Sequence, residues 1–422
     1  MSNSSGGNRL AQEKMFDAIV VGAGPGGSAA AMYLGKAGHQ VLLLDKAIFP
    51  RDKTCGDAIG AKSQAVLREL GIENDLESIP HGKIYGVLFS SPNGTTVTIP
   101  FPGTDPATGK GGYCIRREVF DNFVFQNAKD TKNVIAVEGF QVTDLISENG
   151  FVVGVKGIEV NTKSPREFRA KVVMGADGAA SVVATKLGLN PVIPEHDCLA
   201  LRAYYENIEG NTPNIEIHFV DSLLPGYFWI FPLENNMANV GVGMVTRDIR
   251  KKNLKLQEEM FKVIENHPVF KERFKNAKRV SEIRGWRLPF GSTRRKAHGN
   301  GWVLLGDAAS LVDPFSGEGI SNSMFSAKLA TQVISKALRE KKPLTEELLF
   351  EYEKQLWDTL GSELQTSYQI QKMGRITPLL NFVVGRAAKS EKVREAISGM
   401  LGNEEAKKEI TGPLFYLKLL FS

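Results

Sequence analysis

The stretch Gly22-Ala23-Gly24-Pro25-Gly26-Gly27 constrains this chain more than any other feature. It fits the pattern G-x-G-x-x-G and stands between a short apolar, β-branched run at 16–21 and an Ala-rich run at 28–37. In that setting each glycine has its own physical task. Gly22 permits a tight turn, Gly24 lets backbone approach a pyrophosphate, and Gly27 lets the following helix pack closely on the strand. The helix start offers free N–H groups and a positive dipole end to phosphates. Gly38 ends the helix, and 40–44 reads as a second buried strand closing on Asp45. A carboxylate about 20 residues beyond the fingerprint accepts hydrogen bonds from ribose hydroxyls. The expectation is a β-α-β dinucleotide unit. The fingerprint alone does not separate NAD from FAD.

Two further blocks make that separation. A strand at 302–305 runs into Gly306-Asp307-Ala308-Ala309 and then Asp313-Pro314-Phe315-Ser316-Gly317-Glu318-Gly319-Ile320. A carboxylate at a strand end binds polyol hydroxyls such as a ribityl chain. A Pro/Gly loop opening a helix presents N–H groups to the negative charge of a reduced flavin. The third block, Gly175-Ala176-Asp177-Gly178, also follows a strand, at 171–174.

Between these blocks the pattern changes. Short, partly alternating runs at 87–89, 95–99, 202–205, 215–219 and 227–232 are separated by Gly, Pro and Asn turns and predict an antiparallel sheet. A β meander is expected at 141–160. The fold class is therefore α/β, with a Rossmann-type FAD-binding domain into which an antiparallel substrate domain is inserted. The FAD-binding domain spans 16–85, 111–187 and 285–340. The substrate domain spans 86–110 and 188–284, a helical region occupies 341–422, and residues 1–15 read as disordered.

Composition narrows the function classes. The 422 residues carry a net charge of only +5, with scattered Lys and Arg and no basic stripe for nucleic acid. Three cysteines, Cys55, Cys114 and Cys198, are too few for a disulfide framework or an iron–sulfur cluster, and they imply a reducing, cytoplasmic setting. The six histidines show no ligand spacing, so no metal is expected. No run approaches the roughly 18 apolar residues of a spanning helix. Apolar stretches at 379–384 and 412–421 suit either docking on the protein's own core or peripheral contact with the inner face of a membrane.

The three blocks, in this order, resemble the FAD-dependent family that includes para-hydroxybenzoate hydroxylase, and more narrowly the geranylgeranyl reductase family. Two segments carry the narrower likeness: Phe49-Pro50-Arg51-Asp52-Lys53-Thr54-Cys55-Gly56-Asp57, and Tyr227-Phe228-Trp229-Ile230-Phe231-Pro232 leading to Gly241-Val242-Gly243. The likeness covers roughly 16–340. It implies non-covalent FAD, electrons from NAD(P)H or a small carrier, and reduction of C=C bonds in an isoprenoid chain on a lipid, quinone or pigment. It implies an FAD site at Gly22, Gly24, Pro25, Gly26, Gly27, Asp45, Lys46, Arg51, Cys55, Gly56, Arg117, Asp177, Gly306, Asp307, Gly317, Gly319 and Ile320. Tyr227, Trp229, Phe231 and Pro314 would line the substrate cavity. Cys55 and Tyr227 are the candidate proton relays, with Asp57 a further candidate acid.

Blander readings stand beside these. Free cysteine is also a compact hydrophobic filler, and three aromatics alternating along one strand also pack a core. Arg284, Trp286 and Arg287 form a second cluster without a motif. An aromatic or polyketide monooxygenase using NAD(P)H and O2 fits the FAD blocks equally well, but not the Y-x-W-x-F-P strand. A flavin halogenase would carry W-x-W-x-I-P there. A non-catalytic flavin- or lipid-binding protein is the reading from another class. Oligomeric state stays open.

Overall fold

The computed structural model describes residues 15–402. The expected disordered lead-in through residue 14 and the apolar stretch 412–421 lie outside these residues. Met15, expected with the lead-in, instead opens the first strand and pairs with Arg169.

The dinucleotide sheet has five parallel strands in the spatial order Trp302–Leu304, Pro165–Gly175, Met15–Val21, Val41–Leu44, Val134–Val137. Val41–Leu44, Trp302–Leu304 and the later parts of Met15–Val21 and Pro165–Gly175 are apolar and buried, as parallel strands under helical layers must be, while Val134–Val137 at the sheet edge is partly exposed. Helix Pro25–Lys36 begins inside the fingerprint, earlier than the Ala-rich run alone suggests, because Pro25 suits the first helical position. Its Ser28, Ala29, Ala30 and Ala31 are fully buried, which lets helix Ile320–Arg339 lie close against it. The expected meander is a hairpin, Phe140–Glu148 with Phe151–Glu159, that extends this sheet through Pro165–Gly175.

The second sheet runs Lys278–Arg279, Asp197–Glu206, Met237–Val245, Tyr227–Pro232, Ile215–His218, Gly86–Ser90, Thr96–Pro100. It is antiparallel except where Ile215–His218 pairs in parallel with Gly86–Ser90, a connection long enough to cross over. Strand Arg284–Pro289 also joins it, alongside Asp197–Glu206, so the chain returns to the dinucleotide layer later than residue 285. Period-two burial sorts its side chains. Ala203, Phe228, Ile230, Val240 and Val242 face helices Leu256–Asn266 and Pro268–Arg273. The opposite face looks toward the dinucleotide sheet. A small third sheet, Ala58–Ile59, Gly112–Cys114 and Gly82–Ile84, bridges the two and was not foreseen from the sequence.

The C-terminal helices are not a separate layer. Glu346–Met373 packs on Ile320–Arg339, and Thr377–Lys389 packs on strand Thr96–Pro100. The apolar stretch 379–384 thus docks on the protein's own core through Leu380, Phe382, Val383 and Val384. Among the described residues no helix is long and apolar enough to cross a membrane.

Candidate active site

One cavity of about 1720 Å³ runs from the fingerprint to the inward face of the second sheet. It is lined by every residue expected at the site except Gly27 and Gly306. Those two serve packing. A Cβ on Gly27 would stand 1.8 Å from the Gly22 carbonyl oxygen, and one on Gly306 would stand 2.4 Å from Ser323 Oγ.

At the fingerprint end, Gly22 adopts φ +98°, and its Cα faces the Ala176 carbonyl so closely that a Cβ would meet it at 2.5 Å. The Gly175–Gly178 block therefore buttresses the fingerprint turn. Asp177 accepts from Ser181 Oγ at 2.5 Å and from the Val182 N–H at 2.6 Å, capping the helix Val182–Lys186, while burial raises its carboxyl. Asp45 closes the second strand and accepts from the Ala23 and Ala47 N–H groups, both at 2.8 Å. Gly24 differs from its neighbours. A Cβ there would meet nothing nearer than an Arg51 guanidinium nitrogen at 3.6 Å. Open space between bare backbone at a helix start and a guanidinium is the cradle that a pyrophosphate needs. Asp307, beside Gly319, extends the polar line deeper into the cavity.

Arg51 and Arg117 share one buried carboxylate. Asp121 accepts from Arg51 at 2.6 Å and from two nitrogens of Arg117 at 2.6 and 2.7 Å. Arg117 is buried and lies within electrostatic range of Cys55. The guanidinium nearest the fingerprint cradle is thus that of Arg51, with Arg117 set deeper, against Cys55. Lys53 reaches into the same region, 4.0 Å from Asp307 and 5.1 Å from the centre of the Trp286 ring; burial, then Arg117, depress its ammonium.

At the far end, register alone assembles the wall. Tyr227 stands opposite Gly243, Trp229 opposite Gly241 and Phe231 opposite Asn239. Next along, Gly243 faces Ala200. The Trp229 ring fills the space over Gly241, where a Cβ would come within 2.2 Å. A Cβ on Gly243 would stand 3.6 Å from both Cys198 and Trp229, so cavity lies over a floor of small residues. The Tyr227 hydroxyl donates to the Ser316 carbonyl at 2.6 Å, tying the aromatic strand to the loop before helix Ile320–Arg339. Burial pushes the Tyr227 phenol well above its usual range. Burial likewise pushes the Cys198 thiol up to about 12 and Cys114 well above the thiol range, which leaves half-buried Cys55 as the accessible thiol.

Of the second cluster, Arg284 and Trp286 line the cavity, while Arg287 turns away to pair with Asp197. Sequence reasoning missed Arg202, Tyr204 and Asn239, which with Asp57 form a buried polar group behind the aromatic wall. The available signal was polar side chains on the inward face of otherwise apolar strands.

A glycine-cradled dinucleotide fold thus opens into a cavity walled by aromatic and small side chains. A family model described as "FAD binding domain" matches residues 15–356, and the chain belongs to that family. FAD is its cofactor. The chain is 31% identical to a digeranylgeranylglycerophospholipid reductase of Methanococcoides burtonii over 361 residues, covering 85% of this chain and 83% of that protein. It is 30% identical to a menaquinone reductase of Mycobacterium tuberculosis over 334 residues, covering 75% and 76% respectively. Among solved structures, a geranylgeranyl bacteriochlorophyll reductase-like protein of Thermoplasma acidophilum superposes with TM-score 0.80 at 23% identity, covering 94% of this chain and 98% of that one.

Proposed function

We propose that this protein is an FAD-dependent reductase that saturates C=C bonds of an isoprenoid chain carried by a lipid or quinone. The observation that carries the reading is continuity. The pyrophosphate cradle and the aromatic wall belong to one cavity whose volume exceeds the roughly 300–1,000 Å³ of an ordinary ligand pocket, leaving room for dinucleotide and substrate together. The curated relatives named above, a lipid reductase and a quinone reductase, support the same substrate class.

Bound and reduced, FAD supplies the two electrons that an alkene takes up. The chain's own residues do the rest. Gly24, Arg51 and Asp45 hold the dinucleotide's polar half, with Asp307 and the Gly317–Gly319 backbone further in. Tyr227, Trp229 and Phe231 present flat apolar surface to the isoprenoid and exclude water, which an isolated alkene requires because protonation or strong polarisation must accompany reduction. Cys55 and Tyr227 line the same cavity and are the candidate side chains for delivering that proton.

The test is anaerobic. The holoenzyme is photoreduced, mixed with geranylgeranyl lipids or prenylated quinones in vesicles, and followed by flavin reoxidation and product mass. Reoxidation with a product heavier by two hydrogen atoms is expected. Flavin that stays reduced with every prenyl substrate until oxygen arrives would sink the reading and favour an oxygen-using monooxygenase. Sedimenting the same vesicles tests peripheral membrane contact, which falls if the holoenzyme stays in the supernatant.

A further inference from the structure

The polar group behind the aromatic wall is ordered by a single amide. Trp229 Nε1 donates to Asn239 Oδ1 at 2.8 Å. Asn239 Nδ2 donates to the Cys55 carbonyl at 2.6 Å and to Asp57 Oδ2 at 2.7 Å. An indole nitrogen only donates and a carbonyl only accepts, so Asn239 has one orientation that satisfies both sides. Asp57 completes the set: Oδ2 also accepts from the Tyr204 hydroxyl at 2.9 Å, and Oδ1 accepts from the Arg117 N–H at 3.2 Å. Asp57 and Asn239 are fully buried. Asp57 also holds φ +71°, a left-handed conformation that a non-glycine residue adopts only when its surroundings enforce it.

We propose that Asp57 is a positioning residue whose ionised carboxylate, through Asn239, locks Trp229 of the aromatic wall to the Cys55 loop, and that protonation of Asp57 loosens this lock. The inference rests on the reductase reading for its effect on turnover, but the lock itself does not. A proton on Oδ2 leaves that oxygen one lone pair for two donors, so the Tyr204 phenol turns to accept the proton and the Asn239 bond weakens. The amide is then held on its donor side by the Cys55 carbonyl alone, and its grip on the Trp229 indole loosens.

The groups facing Asp57 set when this happens. Burial drives its carboxyl up to about 6, opposed by the buried Arg202 guanidinium, the Asn239 and Tyr204 hydrogen bonds and Arg117. Buried Cys114 also lies within electrostatic range. Arg202 stacks 4.1 Å from the Tyr204 ring centre and pairs with Asp52, which also binds Arg284. The lock is therefore at full strength above about pH 6 and weakens as pH falls through that value.

The test is a pH titration of the holoenzyme followed by near-ultraviolet circular dichroism, with Trp229→Phe identifying the Trp229 signal. The wild type should show a one-proton transition near pH 6, and kcat for prenyl reduction should fall several-fold with the same midpoint. Asp57→Asn should abolish the transition. Tyr204→Phe removes a hydrogen bond that favours the charged form, so it should move the midpoint upward by about one pH unit. That conservative variant keeps the test decisive if Asp57→Asn does not fold. A transition that persists in Asp57→Asn, or a midpoint unmoved in Tyr204→Phe, would overturn the proposal. Transitions that follow Asp57 in an enzyme that turns over no prenyl substrate support the lock and sink the isoprenoid reading instead.

Discussion

At the fingerprint end of the cavity the decisive contacts are made by backbone; at the aromatic end they are made by side chains from strands far apart in sequence. Gly22, Gly24 and Gly27 fall within one turn of chain, and their tasks follow from φ and from the absence of Cβ. Cys55, Asp57, Tyr204, Trp229 and Asn239 meet only because the loop before strand Ala58–Ile59 packs on three neighbouring strands of the second sheet. The first kind of site tolerates almost no substitution at fixed positions. The second distributes its tolerance over a network in which each member has two or three partners.

The sharpest way to break the comparison is to add the same side chain at two fingerprint glycines. In Gly27→Val the new atoms collide with the Gly22 carbonyl, backbone against backbone, which no rotamer relieves. Overpacking of that kind costs about 3 kcal/mol or more, and chemical denaturation should show an unstable, colourless protein. In Gly24→Val the nearest atom is a movable guanidinium nitrogen at 3.6 Å, so the apoprotein should denature like the wild type. Its FAD affinity, measured by flavin fluorescence, should fall about a hundredfold, as if one or two charge-assisted hydrogen bonds were lost. Equal stability losses in the two variants would mean that Gly24 is also a packing residue.

This contrast explains what could be read from the sequence. The parallel sheet, its fingerprint, Asp45, and the Asp307 to Ile320 block were legible because local backbone geometry fixes them. Trp229 and Tyr227 were visible as aromatics of one face, but not Asn239, whose role depends on Phe231 pairing with it across two strands. The small bridging sheet was illegible for the same reason, since its strands of two or three residues carry no period of their own. Arg117 was read as a phosphate contact; its burial against Asp121 and Cys55 depends on Asp57 and Arg51 arriving from another segment.

A middle-sized effect should come from the floor of the substrate compartment. Gly243→Val places a β-branched residue on a strand with room for its first atom, so FAD content and stability should change little. The added methyls occupy the open cavity, and the KM for a geranylgeranyl substrate should rise about tenfold, with shorter prenyl chains less affected. An unchanged KM across chain lengths would place the isoprenoid elsewhere than over Gly243.

The smallest expected effect separates wall from acid. The Tyr227 hydroxyl commits its hydrogen to the Ser316 carbonyl, and burial makes the phenol a still weaker acid than usual. Tyr227→Phe keeps the ring and removes that bond. Ser316 is exposed, so its freed carbonyl has water within reach, and the loss of stability should be about 1 kcal/mol. If Tyr227 serves as wall, kcat should stay within about threefold of wild type. Losing a general acid costs about 10²–10⁴ in rate, so a drop of that size would assign the proton to Tyr227. The same measurement on Cys55→Ala completes the comparison. A large loss there, with a small one in Tyr227→Phe, would put the proton on the thiol within electrostatic range of Arg117, in the loop that Asn239 holds.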